Sequence, residues 1–312
     1  MREAVREPGE PTQDEIVAAL RTAGWLLEQE ADIVLGERGF HTTLNSAFPD
    51  PEDASKSREV DVMAYKQVHR DEALRVSVGV RCLVECKQST MPYVLIGKPP
   101  NDAERKRRKL EQVFRFDEVI VGRTEVDPTK RSYRLDTLDA REYIGLNDID
   151  QAPWNHDFVA TQMTRLERKQ TWLADNRGIF DGLVYPLAKA THHYRKRHYV
   201  NKATHDPSQG WAHIEFLYPI VVTSAPIYKL DVSVAPYAPE KVAWVPMLRE
   251  LRSGSLDGVF VIDVVTFQSF ATYLDDHVLA FIRGVEKIAQ TEPSLFVTSG
   301  YDDWVQKYSA RA

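Results

Sequence analysis

Glu59-Val60-Asp61-Val62-Met63-Ala64-Tyr65 and Val80-Arg81-Cys82-Leu83-Val84-Glu85-Cys86-Lys87 read as two strands joined by a charged connection, Lys66 to Arg75. Side chains alternate faces along a strand, so Glu85 and Lys87 share one side while Cys82, Val84 and Cys86 share the other, apolar one. An acid and a lysine at the end of an apolar strand are costly in a core unless they are paired or hold a metal. If Asp61 projects to the same side as Glu85, two carboxylates and an ammonium converge. Such a group suits a hard divalent cation with a base or charge stabiliser beside it. The plain alternative is an ordinary ion-pair cluster in a structural α/β protein.

Working outward, Thr12 and Glu15 have capping-box spacing for a helix carrying Ile16, Ala19 and Leu20. Gly24 marks a break. A second helix follows from Trp25 to Arg38, apolar at Leu27, Ala31, Val34 and Leu35 and stopped at Gly39. Phe40 to Phe48 is a strand, and Pro49 to Ser55 a turn-rich loop. The order is helix, strand, strand, strand.

Asp61 followed by Glu85-Cys86-Lys87 resembles the PD-(D/E)xK nuclease superfamily, the restriction-endonuclease-like fold, with Val60 where a Pro often precedes the Asp. The resemblance implies an α/β fold: a central mixed β-sheet flanked by helices, with a large insertion after the third strand. It implies one nuclease domain over 1–312, with the first half of the core and the motif at 13–89, an insertion at 90–156, the second half at 157–290 and a tail at 291–312. It further implies a hydrolase that cleaves phosphodiester bonds. Asp61 and Glu85 would hold Mg²⁺ or Mn²⁺ with the Cys86 carbonyl, and Lys87 would orient the attacking water or stabilise charge on phosphorus. Family members often carry a helix Glu that reaches the metal. Glu28 is placed in that role, with Glu30 close behind, and solvated helix acids are an equal reading of both. Gln88 is either an accessory to Lys87 or a hydrogen-bonded strand end. The implied partner is nucleic acid, DNA ahead of RNA, with a homodimer or an activating protein as further partners and bacterial defence as a role by analogy. The alternative on the same fold is a non-catalytic nucleic-acid-binding or assembly module.

The chain has 312 residues, 43% of them hydrophobic, and a net charge of −6, so no global basic character draws it to nucleic acid. A local basic cleft remains compatible with that balance. Arg105, Lys106, Arg107, Arg108 and Lys109 form one basic run and Arg195, Lys196 and Arg197 another. Each reads either as a phosphate track or as a solvated helix face. The histidines around the second run, His192, His193 and His198, lack a completing zinc ligand pattern. The two cysteines, Cys82 and Cys86, would be about 13 Å apart on one strand, too far to bridge, and suit a reducing cytoplasm. No apolar run reaches the length of a membrane span, and the charged start does not resemble a signal peptide.

Further along, Asp157 to Asp175 is expected to be helical, as is Ile179 to Tyr199 with a kink at Pro186. Ala212 to Val222, Ile227 to Val234 and the nearly all-apolar Val259 to Val265 are expected strands, and Phe267 to Ile288 an amphipathic helix. Asp231 and Asp263 suit strand-edge or capping roles rather than metal binding.

Overall fold

Valine, isoleucine and leucine dominate the strands that run through the middle of the molecule, and their burial on both faces dictates a sheet covered on both sides. The computed structural model describes residues 10–101, 118–127, 132–198, 207–253 and 256–297. It is an α/β protein with a large mixed central sheet flanked by helices.

Two helices open it. α1 (Gln13–Ala23) starts on the expected capping box, Thr12 and Glu15 each accepting from the other's backbone amide. Gly24, at φ 93°, ends α1 and begins α2 (Trp25–Gly36), a left-handed position that glycine takes without steric cost. Then come β1 (His41–Asp50), β2 (Asp53–Asp71), β3 (Val76–Lys87) and β4 (Tyr93–Lys98). A separate hairpin, β5 (Glu118–Asp127) and β6 (Ser132–Asp139), leads to the short helix α3 (Ala140–Ile144). β7 (Val159–Arg168) and β8 (Trp172–Asp175) precede a π-helical turn, Phe180–Val184, that runs into α4 (Tyr185–His198). The rest is β9 (Ala212–Thr223), β10 (Ile227–Asp231), β11 (Glu240–Val242), β12 (Trp244–Arg252), β13 (Asp257–Thr266), α5 (Phe267–Tyr273), a π-helical turn, Leu274–Val278, and α6 (Leu279–Thr291).

The main sheet runs β1-β2-β3-β9-β13-β12-β7-β4-β10-β11, with β8 on the side of β7. β3, β9 and β13 are parallel neighbours, so Lys87, Thr223 and Thr266 end at one rim. One core lies between this sheet and α2, α5 and α6, built on Leu27, Ala31, Val84, Val222, Phe270 and Phe281. The other joins β3 to β4 and β7 across α4, through Leu83, Leu95, Met163, Leu183 and Leu187. Strands distant in sheet order meet in this second core, so the sheet curls around α4.

Three expectations need correction. The loop expected from Pro49 to Ser55 shrinks to a turn at Pro51 and Glu52, because β1 runs to Asp50 and β2 starts at Asp53. Residues 157–175 are not helical but form β7 and β8. Val159, Met163 and Leu166 fit a helical period, yet β4 on one side and β12 on the other claim the segment as a strand. The segment read as an insertion, 90–156, opens on β4, which pairs with β7 and β10 inside the main sheet. Further on, the expected strands and helices appear as β9, β10, β13, α4, α5 and α6, whereas β11 and β12 were not anticipated. The π-helical turn sits immediately before Pro186, where the missing amide weakens the helical ladder. Among the described residues no helix is long and apolar enough to cross a membrane.

Candidate active site

The ladder between β2 and β3 pairs Tyr65 with Arg81, Met63 with Leu83 and Val62 with Val84, and there it stops. One residue further, β2 rolls over: Val62 packs in the core under α2, whereas Val60 packs in the core around α4. Opposite the roll, Asn45 of β1 adopts φ 49°, a left-handed conformation that asparagine tolerates better than most residues. The two strands separate as a fork, and the side chain of Asp61 turns into it. Asp61 Oδ2 accepts from the Cys86 amide at 2.7 Å, taking a bond the lost ladder would have made. In an extended strand a residue's N–H and C=O point to the same side. The Cys86 carbonyl therefore opens into the same gap. The next carbonyl, that of Lys87, faces the other way and accepts from Ser224 of the β9 end at 3.2 Å.

Glu85 and Lys87 follow on the side expected from alternation. Lys87 Nζ donates to Glu85 Oε1 at 2.8 Å. Glu85 is only 7% exposed, and this burial, reinforced by the charge of Asp61, pushes its carboxyl up to about 7 despite Lys87. Burial also raises Asp61, against the pull of the Cys86 amide and Lys87. For Lys87 burial acts downward, but Glu85 and Asp61 outweigh it and hold the ammonium above its usual value.

Glu28 joins this group. Leu27 and Ala31 fix α2 by burial, and Glu28 beside them is raised first by burial and then by the charge of Asp61, with Lys87 opposing. Glu30 turns away to Arg21, 3.3 Å off on the exposed side of the helix pair. Of the two acids, Glu28 is the one that Asp61 and Lys87 act on. Gln88 lies against Gly24, where an added Cβ would sit 3.4 Å from its own Cβ, so it helps seat the start of α2 beside the fork.

Of the two basic runs, the second is not brought here. Arg105 to Lys109 lie outside the described residues. α4 runs from Lys189, which bonds Asp50 at the tip of the β1–β2 hairpin, to Tyr194, over which Arg81 stacks four residues before Glu85. This direction carries half-buried Arg195 and exposed Lys196 toward the far end of the sheet. Asp263 is likewise no strand-edge acid. It is buried within β13, between β9 and β12, accepts from Tyr273 at 2.5 Å, and is pushed up to about 6 by burial. Asp231 does cap a turn, accepting from the Ser233 amide at 2.8 Å.

One neighbour went unnoticed in the sequence. Tyr93, buried at the start of β4, lies within electrostatic reach of Lys87. Its signal was proximity: six residues after a charged strand end, an aromatic residue opens the next strand. Compared with known proteins, the chain matches no family model, no curated protein and no solved structure.

The donor chemistry of the fork suits a hard cation. Three carboxylates, Glu28, Asp61 and Glu85, lie in the field of one ammonium, and all three are raised, first by burial and then by one another's charge. Among the described residues no group of three or more His, Cys, Asp or Glu is set to hold a metal. A cation here would therefore take fewer than three side chains and draw on the Cys86 carbonyl and water, the habit of Mg²⁺.

Proposed function

We propose that the fork is the active centre of a metal-dependent nuclease acting on phosphodiester bonds, with DNA the preferred substrate, on a restriction-endonuclease-like core. The observation that carries this reading is the Asp61 carboxylate on the Cys86 amide beside the Glu85–Lys87 ion pair, at the point where β2 and β3 part, with Glu28 in their electrostatic field. Asp61, Glu85 and the Cys86 carbonyl would hold Mg²⁺ or Mn²⁺, with Glu28 behind Asp61. When bound, such an ion supplies positive charge to a phosphate oxygen and acidifies a water. The chain's own residues supply the rest. The Cys86 amide fixes the Asp61 carboxylate before any ligand arrives, so its orientation costs nothing at the moment of reaction. Lys87, one-third exposed, keeps its charge and can present it to an incoming phosphate. Glu85 near neutrality is suited to accept a proton or release one as the site fills.

Incubation with plasmid, single-stranded DNA and RNA in Mg²⁺, Mn²⁺ or EDTA tests the reading. Cleavage that requires the divalent ion and disappears in Asp61→Asn supports it. Intact substrates under every condition, with nucleic acid still bound, would leave a binding module.

A further inference from the structure

β7 and β12 pair as parallel strands at one position only, Met247 with Ala160, and diverge on either side. The β4–β7 ladder shifts register at the same level: Ile96 pairs with Gln162, but Gly97 pairs with Ala160, skipping Thr161. Gly97 permits this close approach, since a Cβ there would stand 2.1 Å from the Val159 carbonyl. The carbonyl of Thr161, freed from the ladder, accepts from Arg249 Nη1. Arg249 therefore fills the gap between the diverging strands and borders a cavity of about 330 Å³, with Ile96, Gln162, Asn176 and Phe180 also in its wall.

The guanidinium is in an unusual state. Its Nε is buried and has no hydrogen-bond partner. Among the described residues no carboxylate forms an ion pair with it, and adjacent Glu250 turns to Arg252 at 2.6 Å. Desolvation alone acts on its charge and lowers its pKa. Buried donors such as this Nε are nearly always satisfied, and the half-buried guanidinium has no anion beside it. Phe180 stands at the same cavity, 42% exposed, with its ring stacked on Tyr185 at 5.3 Å. A supported but uncovered aromatic face and an unneutralised guanidinium thus share one small, partly polar cavity. Its volume is at the lower end of ordinary ligand sites.

We propose that this cavity binds a small aromatic oxyanion, whose phosphate or carboxylate pairs with Arg249 while its ring lies on Phe180. Gln162 and Asn176 add polar groups to the cavity wall. The assignment does not depend on the fork at Asp61. Titration calorimetry on the full chain, with adenosine 5′-monophosphate, benzoate, adenosine and inorganic phosphate as probes, tests it. At least one of the two ring-bearing anions should bind with a dissociation constant below roughly 1 mM and more tightly than adenosine or phosphate, and which one binds identifies the oxyanion. Arg249→Gln should weaken that binding by about tenfold or more, and Phe180→Ala by several-fold. Failure of both ring-bearing anions to bind, or equal binding by Arg249→Gln, overturns the proposal. Stability without ligand gives a second readout. Arg249→Met removes a half-buried, unneutralised charge together with its bond to the Thr161 carbonyl, so the melting temperature should stay near that of the parent. A clear drop in melting temperature would make Arg249 a structural cation and also overturn it.

Discussion

The amide of Cys86 is bonded to the carboxylate of Asp61 at 2.7 Å, immediately beyond the last β2–β3 pair, Val62 with Val84. A side chain has replaced a backbone acceptor, and the strand end has been opened without orphaning its donor. This exchange sets the Asp61 carboxylate beside the Cys86 carbonyl and within the field of Glu85.

The charge balance of the fork makes stability depend on pH. Glu85 is held at about 7, above its ordinary 4.5. A carboxyl raised by folding keeps its proton longer in the folded chain, so its contribution is most favourable below the unfolded value. That contribution is lost as the pH rises through 4.5 toward 7. Asp263, at about 6, adds a change of the same sign. Melting of the metal-free protein should therefore fall across this window, and Glu85→Gln should remove part of the fall. Ca²⁺, used as a non-catalytic ion, should stabilise more at pH 8 than at pH 6, because binding needs the ionised carboxylates. Equal Ca²⁺ effects in the parent and in Glu85→Gln would place the ion elsewhere.

The two acids of α2 separate cleanly. Glu28 feels Asp61, whereas Glu30 pairs with Arg21 in the open. Glu28→Gln should lower metal-dependent cleavage and weaken Ca²⁺ stabilisation. Glu30→Gln should leave both near the parent level and change stability by less than about 1 kcal/mol, as for an exposed pair. Measuring cleavage and melting on both variants decides it, and matching behaviour would remove Glu28 from the site.

Much of the fork was legible because its signals are local. Alternation placed Glu85 and Lys87 together, a capping box placed α1, and a glycine separated the helices so that α2 could bring Glu28 to the strand end. β7 was not legible. Its partners, β4 and β12, lie far from it along the chain, and pairing with them outweighs the helical spacing of its apolar residues. The cavity at Arg249 was hidden for the same reason, since its walls come from separate strands and a π-helical turn. Asp263 shows another limit: a single acid in an apolar run does not reveal whether a tyrosine ten residues later will cover it.

Below the fork, Arg81 binds Glu215 through two contacts, 2.6 and 2.9 Å, with both side chains at most one-tenth exposed. Removing one partner leaves the other charged and buried. Arg81→Met should cost about 3–5 kcal/mol, while Arg81→Met combined with Glu215→Leu should recover most of the loss. Denaturant unfolding of the two single variants and the double variant measures the coupling, and simple additivity would mean the pair contributes no interaction.

Lys87 distinguishes an enzyme from a binding module. Its ammonium is bonded to Glu85 at 2.8 Å and remains one-third exposed, so it is anchored at one end and open to a phosphate at the other. In the catalytic reading it meets charge that grows only in the transition state, so its loss lowers rate more than affinity. Lys87→Ala should still bind nucleic acid and Ca²⁺, while cleavage falls roughly 10²- to 10³-fold, as when one electrostatic stabiliser is removed. A binding module would respond differently. Lys87 would then be one phosphate contact among several, and its loss would weaken binding and reduce the salt slope by about one unit. In an ion-pair cluster the variant would only melt earlier, because Glu85 loses its counter-charge in a buried place. Cleavage rate, affinity at two salt concentrations and melting temperature, all measured on Lys87→Ala, separate these outcomes. A variant that cuts as fast as the parent removes this lysine from the chemistry.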